Sequence, residues 1–399
     1  MQASGIIVEY NPFHLGHDFH VTQARKQTGA DCIIAVMSGP FLQRGEPAIM
    51  DKWERARSAL LQSVDLVVEL PHLFAVQHGD YFSKGAVETL DRLNVSSICF
   101  GSEEGNIAPF VNSHSKWKDN QGKFDEHLTS FLDEGMSYPE ASRLAYRAIG
   151  VDELDLSQPN NILGYSYVKA IKQFAPHIKP ETITRIESEY HDEIIKGKIA
   201  SATSIRREIH TKGEITEGVK QALPDSTVQS LHNYIKDKGK FHQFEDYFPL
   251  IQHLLWTSSP EELRQIHGIE EGLEHRLLSS INRSSSFQEM MESVKTKRYT
   301  WTRLQRIFVH LITNTRKKDS YLLNESVPYV RILGMNKRGR QYLSEQKKYI
   351  EVPLVTQLKQ IDHPLFDIDL KAQRTYLYPL SGNQRVESYH REKLPPLFV

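Results

Sequence analysis

His14 and His17 lie three residues apart in EYNPFHLGHDFH (residues 9–20), with Gly16 between them and Asn11-Pro12 just ahead. Imidazoles so placed serve a metal, serve a phosphate, or stand there by chance. Zinc-binding helices set their histidines four apart, so that both rings share one face. Here the interval is three, a glycine intervenes and no third ligand stands nearby, which disfavours a metal. Phosphate suits the setting better. The stretch follows an apolar run and opens a helical one, and a helix N-terminus offers unpaired N–H groups and the positive end of a dipole. Gly16 lets a ligand approach the backbone closely. Two flanking imidazoles can donate to phosphate oxygens as charge gathers on them in a transition state. Neither GxxxxGK[ST] nor GxGxxG is present.

A second stretch, IASATSIRREI (residues 199–209), carries Ser201, Thr203 and Ser204 ahead of Arg206. Hydroxyls that open a helix can cap it and present N–H groups to β- and γ-phosphates. An arginine there can pair bidentately with the same oxygens. Together the two stretches read as halves of one nucleotide site.

The elements that must position them alternate. Strands are expected at Ser4–Glu9, Cys32–Met37, Leu66–Leu70, Ser97–Phe100 and Thr182–Ile186, with helices at His17–Gly29, Lys52–Ser63, Phe82–Leu93, Asn161–Phe174 and Ala202–His210. That order indicates βαβ units and a parallel sheet. Ligands then bind beyond the carboxyl ends of the strands. The region 105–138 reads as polar and irregular, a loop plus a helix. A break at Leu223–Ser226 suggests two domains: 1–223, an α/β Rossmann-like domain that carries the nucleotide site, and 224–399, mainly α-helical and basic. Expected helices there are Val228–Lys236, Tyr247–Trp256, Glu261–Gly268, Leu273–Asn282, Ser286–Ser293 and Trp301–Ile312.

The chain has 399 residues, 39% apolar and 25% charged, with a formal net charge of −1. A uniformly polycationic protein is excluded, so any nucleic-acid contact needs local asymmetry. Residues 295–349 supply it, with 14 Lys/Arg against 3 Asp/Glu. Tyr299, Trp301, Tyr321, Tyr329 and Tyr342 are interleaved there, a mixture suited to phosphate contact and base stacking. Cys32 and Cys99 read as core filler in a reducing compartment. No leader pattern and no bilayer-length apolar run is visible, so a cytoplasmic protein without a membrane partner is expected. The loop SGPFLQRGEPAIMDKWER (38–55) follows the second strand. It aims Gln43, Arg44, Glu46 and Lys52 at the site, where Arg44 or Lys52 can hold an anion.

These motifs carry a resemblance. HxGH with S-x-T-x-I-R resembles the nucleotidyltransferase superfamily that includes class I aminoacyl-tRNA synthetases. VEYNPFHLGH, MSGPFLQRGEPAI, DLVVELP, FGSE, PNNILGYSYVKAI, IESEYHD and SATSIRREI together resemble the tRNA(Met) cytidine acetate ligase family. The similarity continues more loosely through TRLQRIFVHLI, PYVRILGMNKRGR and FDIDLKAQRTYLYPL. Leu15 departs from it, since relatives often carry a polar residue there.

The resemblance implies an ATP-dependent ligase. Acetate attacks the α-phosphate of ATP, and pyrophosphate leaves. The wobble cytidine (C34) amine of elongator tRNA(Met) then attacks the acetyl-adenylate, giving N4-acetylcytidine and AMP without acetyl-CoA. Magnesium is expected with ATP. His14 and His17 become the catalytic pair. The ATP pocket takes in Ile7, Val8, Glu9, Tyr10, Asn11, Pro12, Phe13, Leu15, Gly16 and His20. Gly101 lies beneath the nucleoside, Asn160 or Asn161 contacts ATP, and Arg185, Ser201, Thr203, Ser204 and Arg206 complete the set. Lys295, Lys297, Arg298, Arg303, Arg306, Arg331, Lys337, Arg338 and Arg340 are the expected tRNA contacts. Two other readings compete: a small-molecule adenylyltransferase of the same superfamily, and a non-catalytic RNA-binding factor.

Overall fold

The computed structural model describes residues 1–185, 200–270, 272–297 and 299–399. The motif IESEYHD and Arg298 therefore lie outside the described residues.

The expected strands form as β1 (Ala3–Val8), β2 (Cys32–Ser38), β3 (Leu66–Leu70), β4 (Ser97–Ser102) and β5 (Lys179–Thr184). All five are parallel, in the order β5-β4-β1-β2-β3. Runs such as CIIAVM and LVVEL are apolar on both pleat faces because helices cover both sides. The helices between them are α1 (Leu15–Thr28), α2 (Lys52–Leu60), α3 (His72–Ala75), α4 (Gly79–Asp91), α5 (Ala108–Asp119), α6 (Gln121–Asp133), α7 (Tyr138–Ala148) and α8 (Pro159–Phe174). α1 stops where expected: Gly29 takes φ 65° and its N–H closes on Arg25 O at 2.9 Å. The stretch 105–138 is more ordered than its polarity suggested. It holds α5 and α6, whose Phe110 and Phe124 reach the core while their outer faces stay polar.

After β5 come α9 (Ala202–Lys212), α10 (Glu217–Gln221), α11 (Asp225–Lys238), α12 (Phe248–Thr257), α13 (Pro260–Arg264), α14 (Leu273–Ile281), α15 (Phe287–Val294) and α16 (Trp301–Ile312). The helical expectation holds through α16. The chain then returns to the sheet, which the break near Leu223 did not foresee. β6 (Val330–Met335) pairs antiparallel with β3, and β7 (Leu354–Val355) and β8 (Leu397–Phe398) pair with β6. α17 (Lys337–Gln346), α18 (Pro364–Tyr376) and α19 (Gly382–Arg391) pack around this extension.

The loop after β2 joins the halves. Phe41, Leu42 and Ala48 enter the apolar cluster of α12–α16, while Ile49 and Met50 enter that of α9–α11. Tyr376 donates its hydroxyl to Ala48 O at 2.9 Å, and His242 N–H bonds Ile49 O at 3.0 Å. Among the described residues no helix is long and apolar enough to cross a membrane.

Candidate active site at the carboxyl end of the sheet

β1 ends at Val8, and the next residues carry the first motif. The Asn11–Pro12 bond is cis, and Tyr10 turns the chain with φ 51°. Tyr10 and Phe13 are buried, so their side chains anchor the turn. Arg55 from α2 holds the turn from below. Its guanidinium donates to Glu9 O (2.6 Å), Ser38 O (3.1 Å) and Gly39 O, and its Nε to Met50 O (3.2 Å). One buried cation thus caps the ends of β1 and β2. Nothing in the sequence distinguished it from a surface arginine of a helix.

His14 is the N-cap of α1, and His17 sits in its first turn. The rings stack with centroids 3.7 Å apart. A Cβ on residue 16 would stand 2.9 Å from His14 Cε1, so Gly16 first of all makes room for the His14 ring. The His14 backbone N–H donates to His17 Nδ1 at 3.2 Å. A neutral His17 whose Nδ1 accepts must carry its proton on Nε2, leaving that N–H as a donor. Burial lowers His14 to about 3 and His20 to about 4, and holds His17 well below its ordinary value. Among the described residues His14 Nδ1 and His20 Nε2 are buried without a hydrogen-bond partner. Leu15 N–H is spent on Ala222 O at 3.1 Å.

The second motif arrives from far along the chain. Ser201 caps α9, accepting from Ser204 N–H at 3.1 Å, and Ser204 is buried while Thr203 is exposed. Arg206 donates to Asn11 O (3.0 Å) and pairs with Glu46 (2.8 Å). It therefore joins the histidine turn to the β2 loop. Both Arg185 and Arg206 are near enough to depress His14 electrostatically. The two motifs converge.

At the ends of β4 and β5, Arg185 donates to Asn160 Oδ1 at 2.8 Å. Asn160 donates to Glu103 Oε1 at 2.6 Å and remains at the cleft. Asn161 is buried and spent on the backbone: it accepts from Glu104 N–H (3.1 Å) and donates to Asp155 O (3.1 Å). Of the two asparagines, Asn160 faces the site. Glu103 also receives the N–H groups of both residues, a role the sequence did not single out. A Cβ on Gly101 would meet Arg185 Cγ at 2.9 Å, so this glycine gives passage to the arginine stem.

In the β2 loop, Gln43 N–H donates to Glu9 Oε1 at 2.7 Å, and burial raises the Glu9 carboxyl above its ordinary value. Arg44 is part-buried and acts on Glu9 electrostatically. Lys52 does not face the site. It is buried between Glu69 (2.8 Å) and Glu392 (3.0 Å), because its helix turns it toward the sheet rather than the cleft. Arg331, expected on the RNA face, belongs to the same cluster. The β3–β6 register sets it opposite Glu69, and it reaches Glu392 at 2.5 Å.

The other basic candidates divide. Lys295 and Lys297 are exposed just before α16, and Arg303 and Arg306 lie part-buried on it. Arg306 touches the β2 loop through Gln43 O at 3.3 Å. Lys337, Arg338 and Arg340 are exposed on α17, but α17 follows Met335, which pairs with Leu66 at the amino end of β3. Lys337 and Arg338 line an opening of about 470 Å³ with Arg25 and Asp65, at the opposite end of the sheet. Residues 295–349 are not one continuous basic face.

Residues 1–391 match the HIGH Nucleotidyl Transferase family. The tRNA(Met) cytidine acetate ligase of Oceanobacillus iheyensis is 46% identical over the full length of both chains, and that of Anoxybacillus flavithermus is 48% identical over the same extent. The Bacillus subtilis enzyme of that name is 47% identical over 97% of this chain and 94% of its own. Among solved structures, apo Thermotoga maritima TmcAL superposes with a TM-score of 0.91 at 30% identity, covering both chains completely. The same protein bound to alpha-thio ATP gives 0.90 at 31%, also covering both chains completely.

Proposed function

The chain belongs to the HIGH nucleotidyl transferases and, within them, to the tRNA(Met) cytidine acetate ligases; from that premise we propose that it acetylates the N4 amine of the wobble cytidine of elongator tRNA(Met). ATP and acetate are the co-substrates, AMP and pyrophosphate the by-products, and magnesium enters as part of the ATP substrate.

One observation carries the reading: two stacked, neutral imidazoles at the start of α1, with Arg185 and Arg206 brought beside them from distant segments. Attack of an acetate oxygen on the α-phosphorus breaks the bond to pyrophosphate, and the step asks for positioning and charge stabilisation rather than a protein nucleophile. His17 Nε2–H and the His14 ring supply donors that burial keeps neutral and fixed. Arg206 and the capped hydroxyls of α9 suit the β- and γ-phosphates. Asn160 and Arg185 suit the nucleoside end. In the second step the cytidine amine attacks the acetyl carbonyl and AMP leaves. That amine is already unprotonated at neutral pH, so orientation again dominates.

The test is direct. Protein, ATP, labelled acetate and elongator tRNA(Met) are incubated, and the RNA is digested to nucleosides. Label in N4-acetylcytidine is the expected result. Adenylate formed only with a different acid would move the protein to small-molecule adenylylation. RNA binding without turnover would make it a binding factor.

A further inference from the structure

The cleft divides at Glu9. Over β5, β4 and β1 stand His14, His17, Asn160, Arg185 and Arg206. Beyond β2 and β3 lie Gln43 and His78, with Arg306 of α16 against Gln43. Gln43 connects the two: its N–H donates to Glu9, its side-chain amide to Gln77 O (2.9 Å), and its carbonyl accepts from Arg306 (3.3 Å).

Arg306 is unusual in its surroundings. Among the described residues no carboxylate lies within ion-pair distance of it, and its hydrogen bond is to a neutral carbonyl. Its charged neighbours are cations. Burial and Arg303 lower its guanidinium to about 10, and Arg306 in turn depresses His78 together with Lys169. The acid that faces His78, Asp80, is held by Lys169 at 3.5 Å. His78 is open to solvent, and it follows Gln77, whose carbonyl accepts from the Gln43 side chain at 2.9 Å. A part-buried cation without a counter-ion is costly unless an anion joins it. Nor can the backbone retreat: Gly45, at φ 79°, lies so close that a Cβ there would stand 2.3 Å from Arg306 N.

We propose that Arg306 and His78 form a phosphate subsite that takes a phosphodiester of the RNA beside the target cytidine, distinct from the triphosphate tail of ATP. The proposal rests on the RNA-acetylating reading above. A guanidinium fork suits phosphate oxygens, and an exposed imidazole N–H adds a third donor. The same chemistry would serve ATP, but the groups suited to ATP occupy the other side of Glu9. The approach to Arg306 also favours RNA: Lys295 and Lys297 lie exposed upstream, and Arg303 stacks on Tyr299 at 4.6 Å.

Elongator tRNA(Met) assembled with one neutral methylphosphonate linkage, 5′ or 3′ of the target cytidine, separates the two sources. With wild-type protein, neutralising one of these linkages should raise the KM for tRNA about ten- to a hundredfold. Arg306→Gln should raise it by a similar factor on unmodified tRNA, with little further rise when combined with the neutral linkage, and Arg306→Lys should recover part of the loss. A KM for ATP that rises while that for tRNA holds would assign Arg306 to the triphosphate and overturn the subsite. Additive effects would overturn it too. Indifference of the wild-type enzyme to both linkages would do so without any variant. A wild-type protein that forms no acetylcytidine at all defeats the functional reading first, whereas acetylation indifferent to the linkages defeats the subsite and leaves that reading standing.

Discussion

His14 and His17 show how little of a catalytic pair's behaviour lies in residue type. The stack, the burial and the bond from His14 N–H to His17 Nδ1 make them neutral donors rather than surface cations. His14→Ala should lower acetate-dependent pyrophosphate release by on the order of 10²–10³, with a smaller change in the KM for ATP. Gly16→Ala keeps both imidazoles but pushes a methyl into the His14 ring. A smaller loss in the same direction is expected, and full activity would show that the stack is dispensable. Lys52 makes the opposite case. Lys52→Met leaves Glu69 and Glu392 with Arg331 as the remaining cation of the cluster. Breaking a buried pair of this sort costs about 3–5 kcal/mol, to be read from urea unfolding. The KM for acetate of the folded protein should stay put; a large rise would return Lys52 to the substrate site.

At the scale of elements, the β2 loop is the joint of the molecule. It was read as a polar loop aimed at the site, and Gln43, Arg44 and Glu46 do lie there. Its apolar residues were not recognised as wedges into two helical clusters, because their partners lie more than 150 residues away. Gly45 meets the α16 backbone at this joint. Gly45→Ala combines a left-handed φ with a clash against main chain, so it should cost about 1–3 kcal/mol, seen as a lower unfolding midpoint. A variant of wild-type stability would mean the loop can lift from α16. The β6–β8 return was missed for a similar reason. VRILGM is short, and the clue that it pairs with β3 is the complementarity of Glu69 and Arg331 across a register no local window contains.

For the whole molecule, charge and pH matter most. His14, His72 and His242 are buried and lowered to about 3, and buried His310 lies well below its usual value, in each case chiefly by desolvation. The unfolded chain binds protons at these sites below about pH 6.5, while the native state stays neutral. Their contribution is thus present above 6.5 and is lost as pH falls toward 3, by about 1.4 kcal/mol per pH unit for each group charged only on unfolding. Asp369, pushed up to about 7 by burial, works the other way between about pH 4 and 7, as do Glu9, Asp51, Glu54 and Glu88, raised by burial, while His17 and His20 act with the four histidines. The unfolding midpoint should drop between pH 6.5 and 4; a flat profile would mean that these rings ionise in place. The split of the basic segment gives a second expectation. Charge reversal at Lys295 and Lys297 should weaken tRNA binding and flatten its salt dependence. The pair Lys337 and Arg338, at the far end of the sheet, should matter less. Equal losses from both pairs would place RNA around the molecule's edge.

Short-range chemistry was readable in the chain before folding. Apolar runs specified five parallel strands, punctuation placed the helices, and HLGH and SATSIR announced phosphate chemistry, since each depends on neighbours within a few residues. Which charges serve that chemistry was not readable, because a lysine or arginine looks the same whether it meets solvent, substrate or a buried carboxylate. Packing sent Lys52, Arg55 and Arg331 inward, spent Asn161 on backbone, and left Asn160, Arg185 and Arg306 at the cleft. Those assignments depend on contacts between segments tens to hundreds of residues apart, and only the folded chain brings such segments within reach of a hydrogen bond.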